Sequence, residues 1–220
     1  MYIQNIKNNK NFSENFENAI LVGSSGDLLG KNKGEFINTF PLIIRMNDSP
    51  TIGFEKDVGN RTDIRIVNFK ALNTITKLNP KEFINTKHII LYTNNQNDKL
   101  KLLQIFKNFN INLHIFTPLS IHYNDELFKK YTNVDRMKSG SWLSTGWFSL
   151  FFLINYVKNK NIIGLGGEFE HSLYHYYGKN LKQKNYYISN QNSSQGHRFI
   201  TEKQIFSKWI VEKNINFHKL

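Results

Sequence analysis

The chain has 220 residues, a length that suits one domain with a real core, and its 40% hydrophobic and 14% aromatic content excludes a disordered chain. It has no cysteine, which removes disulfides, thiolate nucleophiles and Cys-ligated zinc, and fits a reducing compartment. The net charge of +12 comes from lysines scattered through a Lys- and Asn-rich sequence, without the stripe that a nucleic-acid footprint needs, so nucleic acid is not an expected partner and peripheral contact with an anionic membrane is the remaining use of the charge.

The first segment, residues 1–19, is polar and lacks the apolar run of a signal peptide. Strand-like apolar runs then recur at 19–23 (AILVG), 41–46 (PLIIRM), 63–68 (DIRIVN), 88–93 (HIILYT), 112–117 (NLHIFT) and 161–166 (NIIGLG). Helical patterns fall at 34–40, 97–109, 144–157 and 201–214, followed by a short INFHKL tail. The run WFSLFFLINYV (147–157) is too short to span a bilayer, so it reads as a buried helix. Apolar strands alternating with amphipathic helices indicate a mostly parallel sheet covered on both faces, with ligands at the carboxyl ends of its strands.

Four segments carry polar chemistry at such ends. AILVGSSGDLLG (19–30) runs a strand into a glycine turn and an expected helix, a phosphate-binding arrangement through Gly23, Ser24 and Ser25. It lacks the Gly-Lys-Ser/Thr ending of a P-loop, and its glycines, Gly23, Gly26 and Gly30, are spaced GxxGxxxG and not as the dinucleotide GxGxxG, which argues against an NAD(P) oxidoreductase. IIRMNDSPTIGFEKDVGNRTD (43–63) places Asn47 at a strand end, where it can face a phosphate or ribose. Its charges Glu55, Lys56, Asp57 and Arg61 read as pairing among themselves. SWLSTGWFSLFF (141–152) opens the apolar helix with Ser144, Thr145 and Gly146, as caps or as ligand donors on the free N–H groups, and Trp142 offers a stacking face. The last segment holds His171, His175 and His197. His171 and His175 are four apart, but with no DxD pair in the chain to hold a nucleotide-bridging cation we expect no metal.

Together these segments resemble the four sialylmotifs of glycosyltransferase family 29, the animal-type sialyltransferases. The large motif corresponds to AILVGSSGDLLG with IIRMNDSPTIGFEKDVGNRT, and the small motif to LSTGWFSLFFLINYVKNKNIIGLGG. The third corresponds to HYYG (175–178), and the very small motif to His197 followed by Glu202. The resemblance implies one Rossmann-like domain over 1–220, a GT-A-like variant. It implies a metal-independent, inverting transferase with no cofactor, a CMP-sialic acid donor and a glycan or glycolipid acceptor. On the motif positions, Gly23, Ser24, Ser25 and Asn47 would hold the CMP phosphate and ribose. Ser144, Thr145 and Gly146 would hold the donor at the helix start, with Asn68, Trp142, Gly166 and Tyr176 completing the donor set. His175 would bond the phosphate and His197 would be the general base.

The sequence departs from that pattern in several places. The two motif cysteines align with Ala19 and Val157, which are therefore expected to meet as an apolar pair. Ser24 stands where the family has Asn, Asn68 where it has Tyr, and Gly178 closes the third motif where an acid is usual. No membrane anchor or stem is read in the sequence, so a minimal cytoplasmic form, peripheral to a membrane at most, is expected. A related donor such as CMP-Kdo fits the same residues, and a noncatalytic CMP-binding module is the alternative of another class.

Overall fold

The computed structural model describes residues 3–6, 15–93, 95–116, 118–136, 138–165, 175–178 and 197–220. The strands are β1 (Ile3–Ile6), β2 (Phe16–Val22), β3 (Ile43–Met46), β4 (Ile64–Asn68), β5 (His88–Tyr92), β6 (Asn112–Phe116), β7 (Val157–Ile163) and β8 (Asn216–His218). The helices are α1 (Gly34–Asn38), α2 (Glu55–Val58), α3 (Gln96–Phe106), α4 (Pro118–Thr132), α5 (Thr145–Tyr156) and α6 (Phe199–Glu212). All eight strands form one sheet in the order β1-β6-β5-β4-β3-β2-β7-β8, and every recorded pairing is parallel. The chain steps outward from β2 to β6, then returns to the other side of β2 to lay down β7 and β8. The order therefore reverses between β2 and β7, the position at which open parallel sheets form a ligand crevice.

The sheet is the middle of three layers. On one face Ala19, Leu21, Ile44, Ile64, Ile66 and Ile90 pack beneath α5. Helix α5 is apolar nearly all round because it is covered twice, by the sheet and by Phe128 of α4 and Ile205, Phe206 and Trp209 of α6. On the other face Ile20, Val22, Ile43 and Ile163 pack on Leu28, Ile37 and Val58. Further along, Val67, Ile89, Leu91 and Leu113 pack on Leu72, Phe83, Leu102 and Phe106.

Between those two clusters lie Arg45 and Arg65, opposite each other on β3 and β4 and both fully buried. Arg45 donates to the carbonyls of Val58 and Arg61. Arg65 donates to those of Asn47 (2.8 Å) and Ser49 (3.0 Å). Glu82 accepts from the amides of Thr51 and Ile52, each at 2.8 Å, and lies 4.0 Å from Arg65. Loop 47–61 is thus moored to the sheet through its own backbone. The expected pairing among its charges does not form: Arg61 pairs with Asp63 at 3.1 Å, Asp57 accepts from the amides of Gly30 and Asn32, and Glu55 accepts from Gly53.

The six sequence-predicted strands are present. Two short outer strands, β1 and β8, and helices α2 and α4 were not predicted. Strand β7 begins at Val157, directly after α5, four residues earlier than predicted. The expected Ala19–Val157 pair is not what the register gives: Ala19 lies opposite Lys160 and Val157 opposite Phe16, although both side chains belong to the same buried cluster. Among the described residues no helix is long and apolar enough to cross a membrane.

The β2–β7 junction tolerates no side chain at Gly23, where a Cβ would lie 1.9 Å from the carbonyl oxygen of Gly164. We expect Gly23→Ala to lower the unfolding free energy by about 3 kcal/mol in urea denaturation. Gly30→Ala, at φ 74° but in open space, should cost about 1 kcal/mol. Equal costs at the two positions would contradict the packing described here.

Candidate functional site

The loop after β2 lies at the reversal point. The Gly23 amide donates to Ile163 at 2.8 Å and the Ser25 amide to Gly164 at 3.3 Å, so the loop is fastened to the end of β7. The helix expected to follow it is only a 3₁₀ turn, Gly26–Leu28, and α1 begins at Gly34. The Ser25 hydroxyl serves that turn, accepting from the Asp27 amide (3.2 Å) and donating to its carboxylate (2.8 Å). The long helix whose N-terminus opens at this end of the sheet is α5.

One residue past β3, Asn47 holds φ at 48°, a left-handed conformation that asparagine tolerates better than most residues. Its side chain meets those of Asn68 and Thr145 in one knot. Asn47 Nδ2 and Asn68 Nδ2 donate to Thr145 Oγ1 at 3.1 and 3.0 Å, and the Asn68 amide donates to Asn47 Oδ1 at 3.2 Å. The Tyr92 hydroxyl joins the same oxygen at 2.8 Å, with its ring stacked on Phe148 at 4.2 Å. Burial raises the Tyr92 phenol well above its ordinary value. The ends of β3, β4 and β5 and the first residue of α5 are thereby tied through one hydroxyl.

The start of α5 has a second fastening. Ser144 caps it, its hydroxyl accepting from the Trp147 amide at 3.1 Å. The same hydroxyl donates to Glu202 Oε2, and the Ser144 amide donates to Glu202 Oε1 at 2.9 Å. Glu202 belongs to α6 and is 2% exposed. Burial pushes its carboxyl up to about 7, against the pull of the two Ser144 bonds. Ser144 therefore joins α6 to α5, and Gly146 sits between its hydroxyl and the side chains of Leu165 and Phe206.

Residues 175–178 dock on the glycine loop, where the Tyr176 amide donates to the Ser24 carbonyl at 3.1 Å. Tyr176 is 2% exposed, its ring edge-on to Phe54 and its hydroxyl donating to the Pro50 carbonyl, so its side chain is a wedge in the core. The His175 ring lies flat on Tyr177 at 4.9 Å, and the Tyr177 hydroxyl donates to Asp48 at 3.2 Å. Burial lowers His175 to about 4, partly offset by a hydrogen bond to the Ser24 backbone and by Asp48.

His197 lies two residues before α6, against Trp142. Trp142 Nε1 donates to His197 Nε2 at 3.1 Å, and His197 Nδ1 lies 2.9 Å from the Trp142 carbonyl oxygen. Lys70 connects this pair to the knot: it follows Asn68 by two residues and its ammonium sits 5.1 Å over the Trp142 ring. Burial, with the Lys70 charge, lowers His197 to about 4. The expected Gly166 contact and His171 lie outside the described residues. Among the described residues no three His, Asp or Glu side chains converge as a metal site.

The model of glycosyltransferase family 29 (sialyltransferase) matches residues 2–214. The chain belongs to that family. It is 32% identical over 234 aligned positions to the alpha-N-acetylgalactosaminide alpha-2,6-sialyltransferase 6 of Mus musculus, covering 96% of this chain and 70% of that one. It is 30% identical to the corresponding sialyltransferase 3 of Rattus norvegicus, covering 97% and 76%. A mammalian sialyltransferase crystallised with Gal-beta-1-3GalNAc-ortho-nitrophenol shares the fold with a TM-score of 0.62 at 20% identity, over 93% of this chain and 70% of that one.

The geometry of this family 29 glycosyltransferase adds residues that sequence reading did not single out. Arg65 and Glu82 moor the Asn47 loop, Tyr92 closes the knot, and Lys70 bridges to Trp142. Glu202 was named as the acid of the very small motif without a role, and the structure makes it the partner of the α5 cap. Tyr92 enters through the register, since β4 and β5 end together with Asn68 opposite Tyr92.

The Glu202 carboxyl holds its proton more tightly folded than unfolded, so it contributes stability below pH 4.5 that is lost as pH rises through about 7. Measured by thermal unfolding, Glu202→Gln should therefore gain on the wild type between pH 5 and pH 8. Glu202→Ala, which strands the Ser144 amide, should cost about 2 kcal/mol.

Proposed function

We propose that this enzyme moves sialic acid from CMP-sialic acid to a hydroxyl of a glycan acceptor, with inversion and without a metal. The observation that supports this reading is the convergence of all four motif segments at the carboxyl end of one parallel sheet. The glycine loop, the Asn47–Asn68–Thr145 knot, the start of α5, His175 and the His197–Trp142 pair are joined there by the contacts described above.

The donor carries one phosphate, which needs no P-loop lysine. In this reading Gly23, Ser24 and His175 meet the phosphate, Asn47 and Asn68 meet the ribose, and Thr145 sets their side-chain directions. The acceptor hydroxyl attacks the anomeric carbon on the face away from CMP. Its proton passes to Nε2 of His197 as the new C–O bond forms. The bond to the phosphate oxygen breaks with its electron pair leaving on CMP. His197 is neutral at physiological pH and so can accept that proton, and the negative charge of the bound donor raises its basicity from the low value that burial sets in the free enzyme. The similar mammalian proteins are named for alpha-2,6 transfer to N-acetylgalactosaminides, so those acceptors are proposed first.

CMP release from CMP-sialic acid should be stimulated by an N-acetylgalactosaminide acceptor and unchanged by EDTA. His197→Ala should lower the acceptor-dependent rate by about 10²–10⁴-fold. Binding of CMP without release in the wild type would count against the transferase reading, and full activity in the variant would remove His197 as the base.

A further inference from the structure

His197 is held by one residue at both ring nitrogens. A carbonyl oxygen only accepts and an indole N–H only donates, so the two contacts to Trp142 allow a single neutral tautomer. Nδ1 carries the proton and donates to the Trp142 carbonyl at 2.9 Å, and the Nε2 lone pair accepts from the Trp142 indole at 3.1 Å. The nitrogen that must take the acceptor's proton is therefore covered. The cover lies at the surface, as Trp142 is 43% exposed. One face of its ring is taken by the Lys70 ammonium at 5.1 Å, and Phe199 packs on the imidazole at 5.1 Å. Trp142 is also two residues before the Ser144 cap, whose partner Glu202 lies on the helix that His197 leads into. The backbone half of the grip is thus fixed by α5 and α6, while the indole half is a side chain at the rim.

Resting on the function proposed above, we propose that Trp142 is a positioning residue that gates the base. Its carbonyl sets the His197 tautomer, and its indole N–H covers Nε2 until an acceptor hydroxyl takes its place. Water is a poor competitor for that place, because a single water must displace a hydrogen bond that also seats the indole ring. A sugar brings its own apolar face and further hydroxyls to replace what is lost. The gate would thus favour transfer over donor hydrolysis, in which the same proton passes to Nε2 from water and sialic acid and CMP are released.

Trp142→Phe keeps a ring and removes the N–H. In ¹⁵N-histidine NMR of the free enzyme, the wild type should show His197 as a single Nδ1–H tautomer. In the variant the titration midpoint should rise by about one pH unit. Acceptor-free hydrolysis of CMP-sialic acid should rise about tenfold, the weight of one hydrogen bond. An unchanged midpoint together with unchanged hydrolysis overturns the gate. The wild type gives an independent check: the Trp142 indole proton should exchange with solvent more slowly than that of free indole, and fast exchange also overturns it. The NMR arms need no donor, so a protein that releases no CMP contradicts the proposed function while the gate is still decided.

Discussion

Gly23 donates to Ile163 at 2.8 Å and Ser25 to Gly164 at 3.3 Å, which fastens loop 23–25 to the turn at Gly164. That junction needs bare backbone on both sides. A Cβ at Gly23 would meet the Gly164 carbonyl, and one at Gly164 would meet Leu28 at 2.5 Å. The reversal of strand order at this point leaves a crevice between connections leaving in opposite directions. The other parts of the site are placed with respect to it. Residues 175–178 fasten to Ser24, Asn47 continues β3 beside β2, and α5 points its N-terminus to the same end.

A second regularity concerns charge. The chain as a whole carries +12, yet four titratable groups at this end are shifted toward their neutral forms. His175 and His197 are lowered to about 4, Glu202 is raised to about 7, and Tyr92 is raised as well. Burial is the largest cause in each case. Such an environment keeps both histidines neutral until a charged donor arrives. It also strengthens any bond to an arriving phosphate, because little water competes. In the proposed reaction the charge comes with the donor and leaves with CMP.

Much of the architecture was legible because parallel strands buried on both faces are near-continuous apolar runs, unbroken at 19–22 and interrupted by one arginine each at 43–46 and 64–67. Helix α4 was not, since Pro118 reads as a break although proline suits the first turn of a helix. The motif residues were legible as types at strand ends, but their contacts were not. Nothing local says that Thr145 will collect Asn47, Asn68 and Tyr92, or that Glu202 will reach across to Ser144. Those are long-range pairings fixed by the sheet order. Tyr176 shows the converse: a tyrosine in a ligand-binding motif whose ring the fold uses as packing against Phe54.

The most direct test of this account is a crystal structure with CMP bound. The phosphate should lie against Gly23, Ser24 and His175, with the ribose beside Asn47 and Asn68. The amino ends of the strands carry a separate polar groove of about 660 Å³, lined by Arg61, Asp63, Thr86 and Lys87 among others. CMP found there, with the Gly23–Thr145 end unoccupied, would contradict the assignment of the site.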